Sequence, residues 1–161
     1  MRKHTSRIVA ALLVVVIALG AAGCDKDKEF AKLNARVAGY LDIGIQLVDK
    51  QTASGQMSAA TGLKIIETLN LVNTINGQLV DESKRYLTPD GKALAFDPAG
   101  KAKVLQIVES GQRSLTTLLN SPEFASIPDG QKRAWLDLLN NLTLTFATFH
   151  DVVQTAKEVK R

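Results

Sequence analysis

The side chains that could do chemistry are few, and the most reactive of them is a single thiol. Cys24 is the only cysteine of the 161 residues, and the small residues Ala21, Ala22 and Gly23 precede it. A thiolate is a nucleophile that can carry a covalent group, and small side chains before it suit the groove of a processing peptidase. A lone cysteine has no intramolecular disulfide partner, so in an exported chain it requires another explanation.

The rest of the chain is poor in catalytic and metal-binding groups. His150 is the only histidine after residue 23, whereas a zinc site needs three or four ligands and a di-iron bundle needs Glu-x-x-His pairs. Asp151 adjoins His150, so on a helix the two side chains point about 100° apart, and we expect His150 at the surface or its boundary. Nucleophile-elbow, phosphate-loop and dinucleotide motifs do not occur. The sequence therefore predicts a non-enzymatic protein with no metal and no cofactor.

Residues 1–23 have the composition of a secretory signal peptide. The first seven residues carry three basic side chains and no acidic one, residues 8–19 are all apolar, and residues 20–23 are small. This order is typical of a cleaved signal. A membrane-spanning helix needs about 20 apolar residues, which is more than this segment offers. We therefore predict that residues 1–23 are removed.

The junction Ala21-Ala22-Gly23-Cys24 resembles the lipobox of bacterial lipoproteins. The resemblance implies that the Cys24 thiol is joined to diacylglycerol, that the chain is cut between Gly23 and Cys24, and that the new amine is acylated, as with palmitate. Ala21 stands where the family usually has leucine. The alternative is an ordinary secretory cut after Ala22 or Gly23, which leaves a free thiol.

A lipid anchor at Cys24 implies a place in the cell envelope, on the outer side of the cytoplasmic membrane and thus in the periplasm of a diderm cell. Asp25 resembles the signal that retains enterobacterial lipoproteins in the inner membrane. Residues 24–29 are expected to form the lipidated cysteine and a short charged tether, whose last five residues span about 17 Å when extended. The domain of residues 30–161 is then held close to the membrane, and we expect the membrane lipid to be a partner of the protein through acylated Cys24.

Removal of the signal also changes the charge balance. The loss of Arg2, Lys3 and Arg7 lowers the 20 basic residues to 17, against 16 acidic residues. The basic character of the whole chain therefore belongs largely to the signal, and no basic stripe of the kind that binds phosphates remains. We predict no nucleic-acid partner.

Four long amphipathic helices are predicted after the tether. Apolar side chains recur at spacings of three and four in residues 26–52, 58–86, 98–120 and in the segment after Ser126, as expected for core-facing helices. No strand-like alternation competes with this pattern. The predicted fold is all-α, an antiparallel four-helix bundle that follows a cleaved signal peptide.

Short sequence patterns also predict where the helices begin and which residues form the core. Ser58 is a candidate N-cap, Asp97-Pro98 combines an N-cap with proline at the first helical position, Ser121-Pro122 starts a single turn, and Ser126 with Asp129 forms a capping box. Two sets of residues form predicted seams, namely Phe30, Leu33, Val37, Tyr40, Gly44 and Leu47, and then Trp135, Leu139, Leu142, Phe146, Phe149, Val153 and Ala156. Leu94 and Phe96 should fold back onto the core.

Two stretches within these helices carry no charge, residues 68–80 and 138–149. Within the first, Asn70, Asn73 and Gly77 lie at spacings of three and four and so share one helical face. This pattern is consistent with a partly buried helix whose amides are satisfied by neighbours or water, and it is also consistent with a polar docking face.

Two functions are compatible with these features. The first is a membrane-tethered envelope lipoprotein that acts as a non-enzymatic protein-interaction or scaffold module, with an envelope protein as partner. The alternative is a carrier or sensor of a small apolar ligand held between the helices, for which Gly39, Gly44, Gly77 and Gly111 would leave room. The same glycines are also consistent with close helix packing, which is the interpretation that we favour.

Overall fold

The computed structural model describes residues 25–88, 94–156 and 158, and the predicted signal peptide, Gly23 and Cys24 lie outside them. The described residues form helices α1 (Asp25–Ala53), α2 (Ala59–Lys84), α3 (Pro98–Leu119), α4 (Pro122–Ala125) and α5 (Asp129–Thr155). The β-type pairing within them consists of two isolated bridges, Leu87 with Leu94 and Phe96 with Glu158. The predicted all-α class is confirmed.

Side-chain caps start helices where the sequence predicts them. Ser58 Oγ accepts a hydrogen bond from the backbone N–H of Thr61 at 3.0 Å. Asp97 Oδ1 accepts one from the N–H of Gly100 at 2.6 Å, and Pro98 is the first residue of α3. The N–H groups of a first turn have no partner within the helix, so each cap satisfies a donor that the helix leaves open.

The predicted capping box at the start of α5 is wrong. The N-cap is Pro128, which makes no side-chain cap hydrogen bond, and its carbonyl accepts from the N–H of Gln131 at 2.8 Å. Ser126 instead ends α4, and its Oγ donates to the carbonyl of Glu123 at 2.7 Å. Ser126 has helical backbone angles, whereas an N-cap residue is usually extended, and it lies two residues before the N-cap position of α5.

The segment after α2 returns to the core as predicted. α2 ends at Lys84, two residues before the expected Tyr86, and the Tyr86 carbonyl accepts from the N–H of Ala95 at 2.8 Å. Leu94 is 7% exposed and Phe96 is fully buried, with its ring centroid 5.1 Å from that of Tyr86. The connection therefore closes one end of the core.

The four long helices surround a shared core. α1 contacts α2 and α5, α3 contacts the same two helices, and α4 packs against α2 and α3. The largest fully buried side chains come from all four long helices and from the α2–α3 connection: Leu33, Leu41, Ile65, Leu69, Leu79, Phe96, Leu115, Trp135, Leu139, Leu142, Phe146 and Phe149.

The core face of α1 differs from the predicted seam in its second half. Tyr40 and Leu47, predicted as seam residues, are half-buried, whereas Leu41 and Val48 are 1% and 2% exposed. Gly44 belongs to both patterns and is buried. Because α1 packs between α2 and α5, the buried face is centred on Leu41 and Val48, which the sequence indicates only as a widening of the stripe.

The seam of α5 is confirmed. Trp135, Leu139, Leu142, Phe146, Phe149 and Val153 are all fully buried. The Phe149 ring lies 4.7 Å from that of Phe30 in an edge-on arrangement. A Cβ at Gly111 would overlap the ring of Phe146, so the aromatic ring packs directly against the backbone of α3.

Replacing Phe146 with alanine should destabilise the fold by about 3–5 kcal/mol, the usual cost of emptying a buried aromatic site. Chemical denaturation of the mature domain measures this difference. Leu144→Ala is the matched control, because Leu144 lies on the same helix but is 66% exposed, and its free energy of unfolding should change by about 0.5 kcal/mol or less. Equal effects of the two substitutions would show that Phe146 is not a core residue.

Candidate interaction face

The residues predicted as an interaction face share the outer flank of α2. Asn70, Asn73 and Gly77 are half-buried, and the side-chain amides of the two asparagines make no hydrogen bond to any described residue. Apart from its two chain neighbours and the backbone of its own helix, nothing among the described residues lies within 4 Å of the position that a Cβ of Gly77 would occupy. Together with the exposed Thr74 they form an accessible uncharged surface, which we call the α2 face.

A third asparagine of the same stretch is buried instead. Asn76 is 4% exposed, and its Nδ2 donates to the backbone carbonyl of Asn34 on α1 at 3.3 Å. The Nδ2 of Asn34 donates to the carbonyl of Phe30 at 3.1 Å. Asn76 therefore fits the prediction of a partly buried helix with satisfied amides, whereas Asn70 and Asn73 lie on the accessible face.

The sequence contains a signal that distinguishes these asparagines. Asn76 follows the buried Val72 by four residues and precedes the buried Leu79 by three, so it continues the apolar seam of α2. The side-chain carbonyl oxygens of Asn34 and Asn76 are buried without a hydrogen bond. Burying such oxygen atoms without a partner is costly. The contact between α1 and α2 is therefore specific, but two of its polar atoms are unsatisfied.

α5 carries a second uncharged outer surface. Asn140 and Asn141 are exposed, Thr148 is half-buried, and the central Leu144 is 66% exposed. We call these four residues the α5 face. Solvent-facing helix positions usually carry charged side chains, whereas this surface carries amides, a hydroxyl and an exposed leucine. Large apolar side chains are also exposed elsewhere among the described residues, at Ile43, Leu63, Leu71 and Leu136.

A buried carboxylate connects α2 to α3 at one end of the molecule. The Glu82 side chain is 8% exposed, with Lys103 Nζ at 2.9 Å and Arg85 Nη1 at 3.6 Å. Tyr86 Oη donates to Glu82 Oε1 at 3.0 Å, and the Tyr86 ring occupies the space where a Cβ of Gly100 would lie. Sequence reasoning missed this group because Glu82 and Lys103 lie on different helices.

These contacts shift two pKa values. The hydrogen bond from Lys103 lowers the pKa of the Glu82 carboxyl, and the hydrogen bond from Tyr86 and the charge of Arg85 lower it further, although burial opposes them. Burial raises the pKa of the Tyr86 phenol, and its hydrogen bond to Glu82 raises it further. These surroundings therefore favour the ionised form of Glu82 and the neutral form of Tyr86, as expected for a structural ion pair.

A neutral network connects α1 to α5 at the opposite end. Gln51 is 1% exposed, and its Oε1 accepts from the indole Nε1 of Trp135 at 3.0 Å. Gln51 Nε2 donates to Gln131 Oε1 at 3.1 Å. The buried indole N–H is therefore satisfied, and the end of α1 is held beside the start of α5.

The described residues contain no group of three or more side chains suited to a metal ion. His150 is 38% exposed, and its Nδ1 lies 3.6 Å from Asp151 Oδ1, longer than a hydrogen bond. His150 therefore lies at the boundary of the surface, where sequence reasoning placed it.

At two of the four glycines proposed to leave room for a ligand, neighbouring side chains fill the space. A Cβ at Gly44 would lie 2.9 Å from Leu69 Cδ1 and 3.1 Å from Leu138 Cδ2, and Phe146 fills the space beside Gly111. Gly39 is exposed. Gly44 and Gly111 thus serve close helix packing, and neither supports the carrier hypothesis.

The segment expected as an extended tether is helical. α1 begins at Asp25, directly after Cys24, so residues 25–29 rise only about 7 Å along the helix axis instead of the extended 17 Å. None of the described helices is long and apolar enough to cross a membrane.

Comparisons of the chain with models of protein families, with curated proteins and with solved structures gave no match.

Glu82 should make the stability of the domain depend on acid pH. Its pKa is lower in the folded than in the unfolded state, so its stabilising contribution is complete above the unfolded value of about 4.3 and is lost as the pH falls through the folded value. The free energies of unfolding of wild type and Glu82→Gln should differ most near neutral pH and converge in acid.

Asp81→Asn is the control for this experiment. Asp81 adjoins Glu82 in the sequence, but its side chain is 79% exposed, and its one ion pair among the described residues is with Lys84. Its contribution should therefore be small at every pH. If Asp81→Asn and Glu82→Gln changed the pH profile equally, the buried ion pair would not be its cause.

Proposed function

We propose that this protein is a cell-envelope lipoprotein, anchored by acylated Cys24, whose helical domain acts as a non-enzymatic protein-interaction or scaffold module. The observation that carries the proposal is the position of the only cysteine, directly after a signal-like segment that ends in Ala21-Ala22-Gly23. Acylation explains an unpaired cysteine in an exported chain, and palmitate is an expected acyl group on its amine.

The start of α1 supports a short connection to the membrane. Since α1 begins one residue after Cys24, the anchored domain has almost no linker. It stands on the outer side of the cytoplasmic membrane, facing the periplasm, and Asp25 favours retention in the inner membrane.

We further propose that the long helices form an antiparallel four-helix bundle. The end of α1 meets the start of α5 through Gln51 and Trp135, while the start of α1 meets the end of α5 through Phe30 and Phe149. α2 and α3 are paired in the same way, because Glu82 near the end of α2 binds Lys103 near the start of α3. Such a bundle is a rigid support for outward-facing surfaces.

The α2 face and the α5 face support an interaction role. Both are accessible and uncharged, and a partner can cover them without the cost of desolvating a charge. The exposed Leu144, at 66%, supplies apolar area of the kind that interfaces bury.

The anchor can be tested by mass spectrometry of the N-terminal peptide from membranes of an expressing bacterium. We expect residue 24 to be the first residue and to carry a diacylglyceryl group on sulfur and an acyl group on nitrogen. The Cys24→Ser variant should carry neither modification. A mature peptide with a free Cys24 thiol that reacts with maleimide would instead establish an ordinary secretory cut and contradict the proposal.

A further inference from the structure

We infer that residues 25–38, the first half of α1, separate from the rest of the domain as one unit and then connect it to the membrane as a tether. We call this segment the α1 arm. Its role as a tether rests on the proposed anchor at Cys24, whereas its separation does not depend on acylation. Three features support the inference: an unsatisfied contact with α2, a firmer contact of the second half of α1, and an exposed glycine between the halves.

The contact of the α1 arm with α2 leaves two polar atoms without a partner. Asn34 Nδ2 donates to the carbonyl of Phe30, and Asn76 Nδ2 donates to the carbonyl of Asn34. Turning either amide over would place its oxygen against a carbonyl oxygen, so both side-chain oxygens face elsewhere and are buried without a hydrogen bond. Separation would expose these oxygens to water, which lowers the free energy of the open form relative to the closed form.

The second half of α1 is bound more firmly. Gln51 Oε1 accepts from Trp135 Nε1, and Gln51 Nε2 donates to Gln131, so this buried side chain bonds to α5 through both of its polar atoms. Thr52 Oγ1 would lie 2.9 Å from a Cβ at Gly62, so the end of α1 also packs directly against the backbone of α2. Thr52 Oγ1 is itself buried without a hydrogen bond, but it stands beside a satisfied network. The α1 arm has no such network with α2.

Gly39 lies at the boundary between the two halves. It is exposed, and apart from its chain neighbours and the backbone of its own helix, nothing among the described residues lies within 4 Å of the position of a Cβ. Unlike Gly44 and Gly111, it therefore serves no close packing. Glycine weakens a helix interior relative to alanine, so Gly39 lowers the cost of interrupting α1 at this boundary.

The open form is a minor state with a defined geometry. Phe30, Leu33 and Val37 of the α1 arm are all buried, so the closed form predominates. Folded proteins nevertheless populate such partial openings at equilibrium. Because α1 begins one residue after Cys24, the open arm connects the anchor to Gly39. As a helix it spans about 21 Å, which gives the domain a distance from the membrane that the closed form does not allow.

Native-state hydrogen exchange of the mature lipoprotein in detergent micelles tests the inference, measured residue by residue. The amides of residues 29–38 are the first that bond within α1. Separation as a unit gives them one shared free energy of opening, whereas fraying gives protection that rises gradually along the helix. We expect one shared value, with exchange about tenfold or more faster than in residues 42–53.

Two variants should suppress the opening. Asn34→Leu combined with Asn76→Leu removes both unsatisfied oxygens and keeps side chains of similar size, and Gly39→Ala strengthens the helix where a Cβ has open space. Each should slow exchange in the α1 arm about fivefold or more and leave the second half of α1 nearly unchanged. Gly130→Ala on α5 is the matched control, because Gly130 is also exposed and also has open space at its Cβ position. It should leave the α1 arm unchanged.

Two results would overturn the inference. Gradual protection that neither variant alters would indicate ordinary fraying, and equal exchange in both halves of α1 would show that the arm opens only with the whole domain. Thermal melts check that each variant folds, and Gly39→Ala with its control decides the question if the leucine pair does not fold.

Mass spectrometry of the N-terminal peptide separates a failure of the arm from a failure of the anchor. Gradual protection with an acylated Cys24 would overturn this inference and retain the proposed function. A shared opening with a free Cys24 thiol would retain the separation of the α1 arm but overturn both the tether and the proposed function.

Discussion

The packing of side chains directly against the helix backbone at Gly44 and Gly111 is the constraint on which the rest of the structure depends. Leu69 and Leu138 pack against Gly44, and the ring of Phe146 packs against Gly111. Because a side chain at either glycine would collide with these groups, the helices can pack at native density only when each glycine is aligned with its partners. The alignment of the four long helices follows from these contacts.

Polar contacts at the two ends reinforce the same alignment. Gln51 satisfies the indole of Trp135, and Lys103 binds the buried Glu82. Each contact joins the end of one helix to the start of another, where a displacement by one turn would leave a buried polar group unpaired. Such losses are more costly than the net gain of the hydrogen bond itself, so these contacts oppose alternative packings of a largely aliphatic core.

The same alignment gives the outer surfaces their arrangement. Charge-free residues 68–80 and 138–149 are separated in the sequence by the whole of α3 and α4, yet Leu69 and Leu138 both pack against Gly44. An interaction surface of this kind has no catalytic residues to identify it. It consists of uncharged outer positions such as Asn73 and Leu144, where a solvated helix usually carries charged side chains.

Local chemistry made much of the fold predictable from sequence. The caps at Ser58 and Asp97 and the seam of α5 need only the residues near them, because capping and helical periodicity are short-range effects. The all-α class follows from the same periodicity. The position of Cys24 after a signal-like segment is likewise a property of the sequence, and the proposed anchor rests on it.

Only the tertiary structure decided how the flanks of each helix are covered. It buried Leu41 and Val48 in preference to Tyr40 and Leu47, and it separated the buried Asn76 from the accessible Asn73. It also brought Glu82 to Lys103. Periodicity defines the centre of a buried face, but the neighbouring helices determine its width, and contacts between distant residues depend on how those helices align.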